Sequence, residues 1–187
     1  MRSATILFVL TFWPALVYAQ TPNAQAPVPT LTATDIPLAA VQDAIKKGAA
    51  ALKPGVTVSD RVFSLADIGK YNVAVAFLTR PALVAGGDRV LAHDKITEIY
   101  YILRGSGTQV TGTLVDGTHS DTTGNSIGPG WSSNAPIKNG RSTKLGPGEM
   151  QIIPPGVGHS WSEIAPGGID YLVFRVDPEH VLALSKN

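Results

Sequence analysis

Two hydrophobic periodicities divide the chain. Leu38, Val41 and Ile45 recur at i, i+3 and i+7, which predicts a helix over residues 37–51 with its apolar stripe on those three positions. Thr34-Asp35 would cap it, Pro37 suits its first turn, and Lys53-Pro54-Gly55 ends it. From Val56 onward the period shortens to that of strands. The predicted strands cover residues 61–66, 72–78, 89–92, 98–103, 108–115, 144–145, 149–153, 160–164 and 169–176. The segment Arg104-Gly105-Ser106-Gly107 reads as a hairpin turn, and Pro166-Gly167-Gly168 as a second break between strands. Residues 116–136 are dense in Gly, Ser, Thr, Asn and Asp around Trp131 and read as a long loop. Asp177-Pro178 opens a predicted short C-terminal helix through Ser185. Many short strands with Gly/Pro punctuation predict an all-β sandwich or barrel.

The first residues belong to another pattern. Met1-Arg2-Ser3 is a short positive start, residues 4–17 are uncharged and mostly apolar, and Val17-Tyr18-Ala19 has the small-x-small form that a signal peptidase reads. The apolar run is shorter than the roughly 20 residues of a bilayer span, so a cleaved signal peptide is expected rather than an anchor. The expected organisation is a signal peptide at 1–19, a flexible N-terminus and flanking helix at 20–55, and a barrel at 56–187. Within the second part, residues 20–33 are rich in Pro, Ala, Thr and Gln.

Composition narrows the partners. The 187 residues carry 15 basic and 14 acidic side chains, and removing Arg2 with the signal leaves 14 of each. Such a balance offers no nucleic-acid surface and, after signal cleavage, no membrane surface, so the expected partner is a small molecule. There is no cysteine, which excludes disulfides, thiolate metal ligands and cysteine nucleophiles. With no Asn-x-Ser/Thr sequon either, the expected destination is the bacterial periplasm or secretion.

Two stretches carry candidate chemistry. HDKITEIYYILRG, residues 93–105, places His93 at the end of one strand and Glu98 at the start of the next, expected as two arms of a hairpin. PPGVGH, residues 154–159, is a sharp turn that would deliver His159 into the same space. Two imidazoles and one carboxylate form the 2-His-1-carboxylate set, which suits a divalent Fe, Mn, Ni or Zn ion and leaves positions open for substrate. The same three groups could instead form a hydrogen-bonded polar cluster without metal, with Glu98 as an acid or base. Tyr100 shares a strand face with Glu98, and Trp161 with His159, so both are expected to line the pocket. Asp94 reads as a turn residue, and His119 and His180 as solvated. Arg141 and Lys144 are candidates for greeting an anion, or plain surface charges. Gly124-Asn125-Ser126-Ile127-Gly128 matches the nucleophile-elbow pattern but lacks the strand and helix that the elbow requires.

Taken together the two motifs resemble those of the cupin superfamily. His93, Glu98 and Gly105 match the first motif except for its first histidine, where Leu91 stands; Gly86 lies one place from the opening glycine, at Ala85. Gly148, Pro154, Gly156 and His159 match the second, whose final asparagine is replaced by Glu163. The resemblance implies a double-stranded β-helix, or jelly-roll barrel, with a divalent metal ion on His93, Glu98 and His159. It also implies pairing of two copies, and an enzyme acting on a small organic molecule as an oxidoreductase, lyase or isomerase. A cupin that binds a small ligand without metal or catalysis is the alternative.

Overall fold

The computed structural model describes residues 32–83 and 87–185. The signal peptide expected at 1–19, most of the flexible segment 20–33, and Ala85 and Gly86 lie outside the described residues. One helix, α1 (Leu38–Ala51), precedes nine strands: β1 (Ser59–Asp67), β2 (Asn72–Arg80), β3 (Val90–His93), β4 (Thr97–Thr113), β5 (Thr118–Ser120), β6 (Gly130–Ser133), β7 (Lys138–Leu145), β8 (Met150–Ile153) and β9 (Gly158–Asp177). All strand pairs are antiparallel.

Two long strands organise the rest. The second half of β9 lies between β2 and the first half of β4, and β8 pairs with that same half of β4. The first half of β9 pairs with β3 and with the second half of β4, which in turn pairs with β7. Thus β4 and β9 run through both layers, and β1-β2 and β6-β5 extend them at the edges. Alternate residues face inward, so Ala74, Ala76, Leu78, Tyr100, Ile102, Tyr171 and Val173 form one buried cluster with Trp161 and Ile153. This is a jelly-roll arrangement of the expected all-β class.

Several local expectations change. Arg104–Gly107 makes no hairpin; β4 continues through it, with register shifts against β9 on either side of Gly105. Pro166-Gly167-Gly168 likewise lies inside β9. Each glycine group is a bulge that bends a strand from one layer into the other instead of ending it. Gly105 has φ 76°, and a Cβ there would sit 2.0 Å from the Gly168 carbonyl oxygen. Only glycine permits that approach. Within 116–136 the chain forms β5 and β6, because Gly130–Ser133 completes a ladder with β3.

The two helical expectations are also corrected. No C-terminal helix forms at 177–185: the Asp177 carboxylate accepts from the backbone N–H groups of Val181 and Leu182, and the following N–H groups bond outward to Asn125 and Val62. At the other end, α1 is capped by Pro37 with no side-chain bond, so Thr34-Asp35 lie too early to serve. Its buried residues are Ala44 and Gly48, while Leu38 is 70% exposed and Ile45 also faces outward. The helix turns its small residues down because the Phe77 ring stands up from β2; a Cβ on Gly48 would meet it at 2.7 Å. Close approach decides the face here, over hydrophobic content. Among the described residues no helix is long and apolar enough to cross a membrane.

Two glycine substitutions test the bend. Gly105→Ala combines left-handed backbone strain with the clash against Gly168 and should cost about 3 kcal/mol or more. Gly148→Ala, at φ 84° with nothing within 4 Å of its Cβ, should cost about 1–2 kcal/mol. Urea denaturation of both variants checks this, and equal losses would show that the close approach is not what matters.

Candidate metal centre

Each side chain reaches the interior for a local reason. His93 is the last residue of β3 and Glu98 the second of β4. The expected hairpin between them is absent, since β3 pairs with β6 and β9 whereas β4 pairs with β7, β8 and β9. The chain instead crosses from one layer to the other at Asp94–Ile96, so the two side chains meet across the interior. His159, second in β9, lies opposite Leu91 in the ladder. The Pro154–Val157 turn is tied to β3 by a hydrogen bond from the Gly156 N–H to the His93 carbonyl, 2.8 Å. This bond adds to the β4–β8 ladder in joining the two motifs.

His93, Glu98 and His159 are all buried, and each offers a ligand atom within 4.8 Å of the others. Both Nε2 atoms stand 3.4 Å from the same oxygen, Glu98 Oε2. His159 Nδ1 is 3.0 Å from the Val157 carbonyl. A carbonyl only accepts, so Nδ1 carries the proton and Nε2 of the neutral ring presents its lone pair. Burial pushes the His159 imidazole down from 6.5 to about 4, against the attraction of Glu98 and with help from His93. Burial alone would raise the Glu98 carboxyl, but His93 and the Arg175 guanidinium outweigh it and hold the group well below the usual carboxylate range. A neutral lone pair and an ionised oxygen thus face each other. That donor set fits a divalent cation.

The other Glu98 oxygen is taken by a residue outside both motifs. Arg175 Nε donates to Oε1 at 2.8 Å, and the same guanidinium bonds Asp60 at 2.8 and 3.0 Å and the Ser126 carbonyl at 2.8 Å. Tyr100 OH donates to Oε2 at 3.0 Å, and its ring packs on Tyr171 at 4.9 Å. Trp161 is buried, with Nε1 3.4 Å from the Tyr171 hydroxyl. Glu98, Arg175, Asp60, Tyr100 and Trp161 line a cavity of about 190 Å³, together with Arg80, Asp88, Gln109, Leu91 and Ile127. Arg80 bonds Tyr171 OH at 2.9 Å and pairs with Asp88.

Other candidates fall outside. Arg141 and Lys144 are exposed on β7 and do not line the cavity. His180 is exposed on the C-terminal segment. His119 keeps part of its ring in solvent as expected, but it also bonds Asp94 at 2.7 Å and packs on Trp131 at 4.7 Å, and the Asp94 bond raises its pKa. Ser126 contributes its backbone carbonyl, in a loop where the Asn125 side chain caps Ile127 and Gly128. Arg175, Asp60, Arg80 and Gln109 went unnoticed in the sequence. The signal for two of them was phase: Arg175 follows the inward Ile169, Tyr171 and Val173, and Arg80 follows Ala74, Ala76 and Leu78.

Two motifs far apart in sequence but adjacent in the barrel thus converge on a single buried cavity. The fold is an antiparallel jelly-roll barrel. No protein-family model matches the chain, and no curated protein matches it in sequence. Among solved structures it is similar to KdgF from Halomonas sp. (11% identity, 68% of this chain and 84% of that one, TM-score 0.40). It is also similar to the polyketide cyclase RemF from Streptomyces resistomycificus (20%, 69% and 71%, TM-score 0.40). An oxalate oxidase matches at 18% identity over 70% of this chain, which spans about half of that protein (55%), with TM-score 0.40. These are likenesses of arrangement at low identity and carry nothing about the chemistry inside this barrel.

The buried groups set a pH dependence. Between the ordinary His pKa of 6.5 and the folded value of about 4, the unfolded chain binds a proton at His159 that the folded one does not. Stability therefore falls as pH falls through that window. The depressed Glu98 works in the same direction, its contribution being lost at still lower pH. Melting temperatures of metal-stripped protein should drop steadily from pH 7 to 4.5, and the drop should shrink in His159→Gln. Superimposable profiles would count against a neutral buried His159.

Proposed function

We propose that His93, Glu98 and His159 hold one divalent metal ion and that the chain is an exported enzyme acting on a small organic molecule. The observation that carries this reading is the meeting of two imidazole Nε2 atoms on one oxygen of an ionised, buried carboxylate. With His159 neutral, two acceptors face each other at 3.4 Å, an arrangement that a cation between them would relieve. Such an ion would supply Lewis acidity toward a substrate oxygen. Arg175 and Tyr100 fix the carboxylate from behind and from the side, so its orientation does not depend on the ligand. Leu91, Ile127 and Trp161 place apolar surface on the cavity wall, with Trp161 packed on Tyr171 behind it. This environment supports lyase, isomerase or oxidoreductase chemistry on a polar substrate of a few carbons.

A second reading has its own support. Both Glu98 oxygens have protein donors, from Arg175 and Tyr100, so the polar cluster is complete enough to stand as a metal-free ligand-binding barrel. Metal analysis separates the two. Protein expressed with Fe, Mn, Ni and Zn supplied should carry close to one equivalent of metal, and His159→Ala should lose it by tenfold or more. Metal-free parent protein under those conditions would leave the second reading standing.

We also infer export from the charged start, apolar run and Val17-Tyr18-Ala19 site. Intact-mass measurement of the full-length chain expressed in a bacterial host should find a product beginning at Gln20 in the periplasmic or extracellular fraction. Retention of residues 1–19 would refute cleavage.

A further inference from the structure

Gln109 lies in the second half of β4, past the glycine bend, in register with Trp161 on β9 and Thr143 on β7. It is 0% exposed, and neither its Nε2 nor its Oε1 has a hydrogen-bond partner among the described residues. Buried amides are paired in the great majority of folded proteins, and leaving both ends unmatched is unfavourable. The side chain lines the same cavity as His93, Glu98 and His159. Its two unmatched atoms therefore point to a ligand that offers an acceptor and a donor side by side.

The charges of that wall restrict the ligand further. Arg175 is held by Asp60 and Glu98, and Arg80 by Asp88 and Tyr171. Arg89 also lines the cavity, at its exposed edge, and its guanidinium has no ion-pair partner among the described residues. A carboxylate is the complement of that guanidinium. A hydroxyl both donates and accepts, as the amide of Gln109 requires. About 190 Å³ accommodates roughly six water-sized groups, the scale of a three- or four-carbon acid.

We propose that Gln109 is the ligand-orienting residue of this cavity and that the ligand is a small hydroxy acid, its hydroxyl on the Gln109 amide and its carboxylate toward Arg89. The inference rests on the proposed function in taking this cavity as the ligand site, and it requires no particular metal. The role is one of positioning, so removing the amide should weaken binding without weakening the fold. Replacing an unmatched buried amide by an apolar group of similar size is close to neutral or stabilising.

Titration calorimetry on the full chain, metal-loaded and metal-stripped, tests this with glycerate, propionate and 1,2-propanediol. Glycerate should bind at least tenfold more tightly than propionate, which lacks the hydroxyls, and than the diol, which lacks the carboxylate. In Gln109→Leu the preference for glycerate over propionate should disappear, with metal content unchanged and a melting temperature equal to or above the parent's. Arg89→Ala should weaken both acids alike and leave the diol unaffected. A parent that binds none of the three probes overturns the proposal. So does a Gln109→Leu variant that keeps the preference, or one that melts well below the parent, because the amide would then be serving the fold. A metal-free parent that still shows Gln109-dependent glycerate binding would defeat the metal reading alone, and a metal-loaded parent without that dependence would defeat this one alone.

Discussion

An ionised carboxylate that is 1% exposed must be matched atom by atom, and Glu98 sets that demand for the whole interior. Desolvating such a group costs several kcal/mol unless good geometry returns it. Arg175 answers on one oxygen and Tyr100 on the other. Arg175 is itself 1% exposed, so its remaining donors need acceptors too, and they find them in both oxygens of Asp60 and in the Ser126 carbonyl. A single guanidinium thereby ties β1, β4, β9 and the loop before β6. Removing Glu98, Arg175 or Asp60 leaves a charged partner short of a counter-charge, which makes the position of Glu98 a property of the fold more than of the site.

The two long strands explain how such a network can share space with two histidines. Each of β4 and β9 passes through both layers, so the site draws residues from both ends of the same strand. His159 begins β9 and Arg175 lies near its end; Glu98 begins β4 and Gln109 lies in its second half. The bend that brings these ends together depends on Gly105 passing the Gly168 carbonyl closer than any side chain allows. Backbone geometry at the far side of the barrel and the electrostatics of the cavity are in this way coupled through two strands.

This coupling also explains what could be read in advance. The barrel class, most strands and the meeting of His93, Glu98 and His159 followed from local pattern and motif spacing. Glycine pairs were harder, because the same residues serve a hairpin or a bulge, and only the cross-strand partner decides. The α1 face departs from its pattern for a related reason: Leu38, Val41 and Ile45 are the apolar stripe, yet Phe77, remote in sequence, admits only Ala44 and Gly48. Arg175 and Arg80 carry little signal, because an arginine at the end of an apolar strand passes for an edge residue. Their inward phase was visible, but their partners Asp60 and Asp88 were not.

Leu91 takes on a different meaning in this setting. It lies across the ladder from His159 and contributes apolar wall where a further imidazole would have stood. A neutral ligand there would alter the number of donors but not the charge. The wall carries Arg80, Arg89 and Arg175 against Asp60, Asp88 and Glu98, a sum of zero. A divalent ion would leave the cavity with an excess of about two positive charges in a medium that screens poorly. Whichever number of protein ligands the ion has, that excess favours an anionic partner, and Arg89, which has no carboxylate partner among the described residues, stands at the exposed edge where such a partner would arrive.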